Sequence, residues 1–180
     1  RLSLAADFTI GCDPSSLVAV QSANATSTCT VTSVDGFSSA VELAGSWSGA
    51  GPSAVAYTLP SPVTLSPGRG VSSTLVITAG PRASTGTFTF QVTGRGGSLV
   101  RNVNLTITIA AGVADFAIAI SPSYLSIVPS GSGASTLIVQ SLGVFFSPVH
   151  LSGSGVPDGM RLTFETNPVT PPIGLSLIHI

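Results

Sequence analysis

Apolar and polar residues alternate with a period of two along almost the whole of this chain, and no stretch of a dozen residues carries an apolar stripe at helical spacing. The pattern predicts an all-β chain. Phe8, Ile10 and Cys12 share one parity up to a break at Pro14, and Leu17 to Val20 follows as a short segment. Cys29 and Val31 face inward on the next strand while Thr28, Thr30 and Thr32 face out. Asp35-Gly36 then supplies a turn, because both residues tolerate positive φ. Val41, Leu43 and Trp47 share a parity on a third strand that runs into the Gly-rich loop from Gly49 to Pro52. Val55 to Leu59 reads as a fourth strand. Pro60, Pro62 and Pro67 lack the donors of a central ladder and suit an edge or a connection, after which Leu75 and Ile77 mark a fifth strand. Phe88, Phe90 and Val92 alternate with Thr87, Thr89, Gln91 and Thr93. The chain turns at Gly94-Arg95-Gly96-Gly97 and returns through Leu99, Val103, Leu105, Ile107 and Ile109, the clearest hairpin in the sequence. About seven strands in roughly a hundred residues match an immunoglobulin-like sandwich of two packed sheets.

The pattern then starts again. Asp7-Phe8-Thr9-Ile10 and Pro14-Ser15-Ser16-Leu17 return as Asp115-Phe116-Ala117-Ile118 and Pro122-Ser123-Tyr124-Leu125, both at an offset of 108 residues. A period of that size is a domain rather than a solenoid turn, so it predicts tandem sandwiches. Strands around Phe116 to Ile120, Leu125 to Ile127, Leu137 to Val139 and Val149 to Leu151 repeat the early plan. Val169-Thr170-Pro171-Pro172-Ile173-Gly174 answers Val63-Thr64-Leu65-Ser66-Pro67-Gly68. Nothing answers the hairpin, so the second sandwich is expected to be truncated, with apolar faces and sheet edges uncovered. The expected division is 1–6, the end of a preceding repeat; 7–111, a complete sandwich; 112–174, an incomplete one; and 175–180, a non-native tail. Leu175-Ser176-Leu177-Ile178-His179-Ile180 leaves the repeat and looks like one reading frame of a transposon-end sequencing adapter.

Composition narrows the function classes. Charged residues make up 7% of the chain, the formal net charge is −1, and no lysine occurs. Arg1, Arg69, Arg82, Arg95, Arg101 and Arg161 are scattered singly, whereas nucleic-acid binding needs clustered cations. Hydrophobic content is 43%, yet no apolar run approaches the ~18 residues of a membrane-spanning helix, so membrane insertion is not expected. Low charge with abundant Thr and Val fits strands whose outer faces carry hydroxyls.

Candidate chemistry is sparse. Cys12 and Cys29 are the two cysteines, both on inward parity, and the repeat places Ile120 and Leu137 opposite them. Core positions that are both Cys in one copy and both apolar in the other suggest a disulfide between adjacent strands, against the alternative of two buried thiols; the bond would favour an oxidising compartment. Without a nearby His the pair does not complete a zinc site. His150 reads as a loop or outward imidazole, and Asp7, Asp13, Asp35, Glu42, Asp115, Asp158 and Glu165 are dispersed, so neither a hydrolase triad nor a glycosidase pair is expected. Asp7 and Asp115 open equivalent strands and read as caps rather than calcium ligands. Trp47 is the one candidate ligand contact, a sugar-stacking platform, although its parity with Val41 and Leu43 favours core packing. Neither a cofactor nor a metal is expected.

Asp7-Phe8-Thr9-Ile10, Ser27-Thr28-Cys29-Thr30-Val31-Thr32-Ser33, Asp35-Gly36-Phe37 and Val63-Thr64-Leu65-Ser66-Pro67-Gly68 resemble tandem bacterial immunoglobulin-like modules of large secreted or cell-surface proteins. The likeness covers Asp7 to Gly174. It implies export and a non-catalytic spacer or interaction role, with neighbouring repeats of the same chain as the first partners, and no catalytic residue carries over. The competing expectation is an adhesin-type module that binds polysaccharide or a surface protein, appended to an extracellular enzyme.

Overall fold

The computed structural model describes residues 5–171 and 173–180. Arg1 to Leu4, the bulk of the segment read as the end of a preceding repeat, lie outside the described residues. Thirteen strands and no helix are formed among them, in three sheets. Contacts divide the chain into two units, Arg1–Gly112 and Val113–Ile180.

Unit 1 contains β1 (Asp7–Asp13), β2 (Ser16–Val20), β3 (Asn24–Val34), β4 (Ala40–Trp47), β5 (Val55–Thr58), β6 (Val63–Thr64), β7 (Gly70–Ala79), β8 (Gly86–Gly96) and β9 (Leu99–Ala110). One sheet has the order β1-β3-β7-β5 and the other β2-β9-β8-β4-β6. This is the strand arrangement of an immunoglobulin-like sandwich. The chain changes sheets at Pro14: β1 pairs antiparallel with β3, and β2 runs parallel to β9. Inward parity fills the core with Phe8, Cys29, Val31, Val41, Leu75, Ile77, Phe90, Val92, Leu105 and Ile107, each fully or almost fully buried. Outward parity is hydroxylated, with Thr30 and Ser72 bonded across β3 and β7 at 2.9 Å and Thr87 and Thr108 across β8 and β9 at 3.2 Å.

The sequence placed the hairpin turn too early. Gly94 and Arg95 lie within β8, which pairs through Gly96↔Leu99, and the reversal is made at Gly97, where φ is +59°. The glycines serve packing instead. A Cβ on Gly94 would lie 3.1 Å from the Phe8 ring, and one on Gly96 would lie 2.7 Å from the Phe37 ring and 3.0 Å from that of Phe8. Their bare backbone seats the two rings, which meet at 5.3 Å between centroids.

Unit 2 contains β10 (Ala114–Ser121), β11 (Ala134–Gly143), β12 (Thr163–Phe164) and β13 (Ile173–His179), in one sheet of order β10-β11-β13-β12. Its pairing repeats that of β1 with β3 register for register: Asp7↔Val34 and Cys12↔Cys29 become Asp115↔Leu142 and Ile120↔Leu137. Two segments expected as strands are not strands. Leu125 and Ile127 lie in irregular chain, and Val149 and Leu151 contribute only the isolated bridge Val149↔Val169. The reason is the ladder each requires. In unit 1, β2 pairs with β9, and β4 pairs with β8 along Glu42–Trp47. Unit 2 forms no strand in either position among its described residues. Of residues 175–180, read as a non-native tail, Leu175 to His179 are paired within β13, where Gly174, Ser176 and Ile178 are buried and Leu175 and His179 exposed. That pairing reflects their alternation and carries no information on their origin.

Candidate functional site

The two cysteines form a disulfide between β1 and β3 with their Cα atoms 4.0 Å apart. Because Cys12↔Cys29 is a direct cross-strand pair, the bond links two strands of one sheet rather than the two sheets. Cys29 is fully buried and Cys12 is 9% exposed, so the bridge lies in the core against Leu17, Leu75 and Ile107. Its chemical role is a cross-link.

Trp47, the candidate ligand contact, ends β4 half-buried. Its indole meets the Phe90 ring edge-on at 4.8 Å and the Phe88 ring at 6.2 Å, with Tyr57 packed on the other side of Phe90 at 4.9 Å. Two glycines make the cluster possible. A Cβ on Gly45 would lie 2.3 Å from Phe90, and one on Gly51 would lie 2.6 Å from Trp47. The Tyr57 hydroxyl donates to the Gly45 carbonyl at 2.7 Å, which ties β5 to β4 at the sandwich margin. The indole is therefore engaged in packing, and among the described residues its ring contacts are the edge-on ones with Phe88 and Phe90.

Titratable groups meet as ion pairs rather than as a larger cluster among the described residues. Asp7 accepts from the Phe8 amide at 2.7 Å and pairs with Arg101 of β9, clamping the start of β1 to the opposite sheet. The Arg101 guanidinium first, and the Phe8 amide second, hold the Asp7 carboxyl below the usual carboxylate range. Asp115 repeats only the cap, at 2.8 Å to the Phe116 amide. Asp13, Asp35, Glu42, Asp158 and Glu165 are exposed, as is His150. Glu165 approaches His179 at 2.9 Å on the surface. Among the described residues no group of three or more His, Cys, Asp or Glu side chains converges as a metal site.

Four buried or half-buried serines escaped the sequence reading. Ser27 donates to the Pro14 carbonyl at 2.8 Å and Ser135 to the Pro122 carbonyl at 2.7 Å; Ser33 donates to the Phe37 carbonyl at 2.7 Å and Ser141 to the Phe145 carbonyl at 2.6 Å. Each pair is related by the same 108-residue offset. They staple the sheet-changing bend and the turn after the second strand of the pair. The signal was available, since a hydroxyl recurs on inward parity in both copies. Every buried side-chain nitrogen and oxygen among the described residues has a hydrogen-bond partner.

No protein-family model and no curated protein matches the chain. Solved structures with a similar trace include a protein of unknown function from Porphyromonas gingivalis W83, at 12% identity and a TM-score of 0.38, covering 95% of this chain and 82% of that one. Domains 4–9 of the surface layer protein SbsC are similar at 13% identity and a TM-score of 0.41, covering 94% of this chain and 26% of that one. A marsupial T cell receptor is similar at 11% identity and a TM-score of 0.32, covering 97% and 87%.

Proposed function

We propose that this chain is a non-catalytic structural spacer of a secreted or cell-surface protein, built of tandem immunoglobulin-like repeats of the bacterial extracellular kind. In this reading the second repeat has the plan of the first, but only one of its two sheets is assembled. The observation that carries it is the recurrence of one register, one pair of serine staples and one aspartate cap at a fixed offset. A repeat that preserves its interior and varies its outer residues serves as a length of scaffold. The disulfide suits export, because such bonds persist in oxidising compartments. Neighbouring repeats of the same chain are its partners, and hydroxylated, weakly charged faces keep those contacts unspecific.

An array of polysaccharides and glycans, probed with the full chain, tests the proposal against the adhesin reading. The spacer gives no saturable binding. Saturable binding that disappears in a Trp47→Ala variant which still melts cooperatively overturns it.

A further inference from the structure

The inner face of the unit 2 sheet is uncovered along β10, whereas Leu137, Val139 and Ile178 on the neighbouring strands are buried in a cluster with Val149, Leu151 and Val169. Phe116, Ile118 and Ile120 are 36%, 53% and 45% exposed, whereas their counterparts Phe8 and Cys12 are 0% and 9% exposed. An apolar groove of about 350 Å³ runs over Ile120, Pro122, Leu125, Ile127 and Ser135. Single exposed apolar residues are ordinary, but a contiguous apolar strand face beside a groove is a docking surface.

Unit 1 identifies what fits there. The same positions, Cys12, Leu17 and Ala19, share one core cluster with Phe90, Val92, Leu105 and Ile107 of the β8–β9 hairpin. That hairpin has three further tasks in unit 1. Gly94 and Gly96 seat the Phe8 ring, β9 supplies the parallel ladder that makes Ser16–Val20 a strand, and β8 supplies the antiparallel ladder for Glu42–Trp47. Unit 2 retains the receiver for each task. Phe116 keeps its ring partner, Phe145, at 5.1 Å. The β2-like segment at 124–128 keeps Leu125 and Ile127, and the β4-like segment at 148–154 keeps Val149 and Leu151, on the apolar parity, but neither has a ladder.

We propose that the open face of unit 2 is an acceptor for an apolar β-hairpin with the chemistry of residues 86–109: alternating aromatic and β-branched residues on one face, and glycines where Phe116 must be seated. Docking converts 124–128 and 148–154 into strands, the first parallel to the returning arm of the hairpin and the second antiparallel to its leading arm. Main-chain pairing supplies the affinity, and the alternating pockets supply the register. The inference rests on the reading of unit 2 as a sandwich of the same plan, while the spacer role of unit 1 is independent of it.

The test adds a synthetic peptide of residues 84–111 to the full chain and follows hydrogen exchange by mass spectrometry. Amides in 124–128 and 148–154 are expected to gain ~tenfold or greater protection, with exchange in unit 1 unchanged. A peptide carrying Gly94→Val and Gly96→Val, which cannot seat Phe116, is expected to give none. Should the free peptide self-associate, the same residues joined after residue 180 through a flexible Gly/Ser linker supply it at an effective concentration of roughly millimolar. Four results overturn the proposal: no protection in either format, protection that rises with protein concentration in the absence of peptide, protection confined to unit 1, or equal protection by the valine peptide. The second identifies pairing between two copies of the chain. A failure here with an unchanged Trp47 melting transition and no glycan binding leaves the spacer reading intact.

Discussion

Reducing the Cys12–Cys29 bond isolates one energetic contribution in unit 1. The two thiols stay in the core as small apolar groups, so packing is largely retained and the chief loss is the constraint on the unfolded chain. The bridge spans 17 residues, and closing a loop of that length removes unfolded-state entropy equivalent to about 3 kcal/mol at 25 °C. For a domain of roughly a hundred residues that corresponds to a fall in Tm of about 12–24 °C. The assay is built into the sequence. Trp47 is the one tryptophan, and its indole packs on Phe90 in the core of unit 1, so its fluorescence reports that unit alone. Urea and thermal melts with and without reductant should therefore differ in the Trp47 signal. Unit 2 holds no cysteine, so its hydrogen exchange should remain unchanged. A loss below about 1 kcal/mol refutes the reasoning, because it is far less than chain entropy assigns to a loop of this length. Alkylation of both cysteines without reductant refutes it earlier, by showing that the bond is absent.

Gly45→Ala should destabilise unit 1 by about 2–3 kcal/mol, read from the Trp47 melt, because the new Cβ would lie 2.3 Å from a Phe90 ring held by Trp47 and Tyr57. Wild-type stability would show that the cluster can open. Ser27→Ala should cost about 1–2 kcal/mol in urea unfolding, since the Pro14 carbonyl loses its donor at a buried bend, and a neutral result would mean that water replaces the hydroxyl. Asp7 should titrate below the ordinary aspartate range by NMR and return toward it in Arg101→Met. A carboxyl whose folded pKa is depressed stabilises the fold above its unfolded pKa of about 3.9, and that contribution fades as pH falls through the folded value. The wild-type chain should therefore lose stability more steeply than Arg101→Met below about pH 4. Because both side chains are half-exposed the effect is modest, and identical acid profiles would show that the clamp is screened out.

Parity made the interior of unit 1 legible. Phe8, Cys29, Val31, Leu75, Phe90 and Ile107 stand on the apolar parity of their strands and are buried. What parity conceals is the partner of each strand. Val149 and Leu151 carry the pattern of Val41 and Leu43, yet they form a single bridge where Val41 and Leu43 belong to a strand, because a ladder is a property of two segments and the sequence of one shows half of it. Glycine misled for a related reason. Gly94 and Gly96 have the composition of a turn, but they lie in β8 because two aromatic rings from β1 and the loop before β4 require bare backbone there. That requirement is nonlocal. Trp47 was ambiguous from sequence on the same grounds, since the rings of Phe88 and Phe90 that occupy its faces arrive from a strand more than forty residues later.

The two units also separate the cross-link from the register. Ile120↔Leu137 occupies the position of Cys12↔Cys29 with the same flanking pairs and no sulfur, so the disulfide does not set the pairing of β1 with β3. Register comes from the inward parity of both strands and from the serine staple at the bend, which recurs at 2.7–2.8 Å. A one-residue slip of β1 would turn Phe8 and Cys12 to solvent and break that staple. The bridge therefore acts on the unfolded chain, which is why its contribution follows from loop length. Without it unit 1 should keep its strand pairing at a lower melting temperature, whereas loss of the hairpin would remove a sheet.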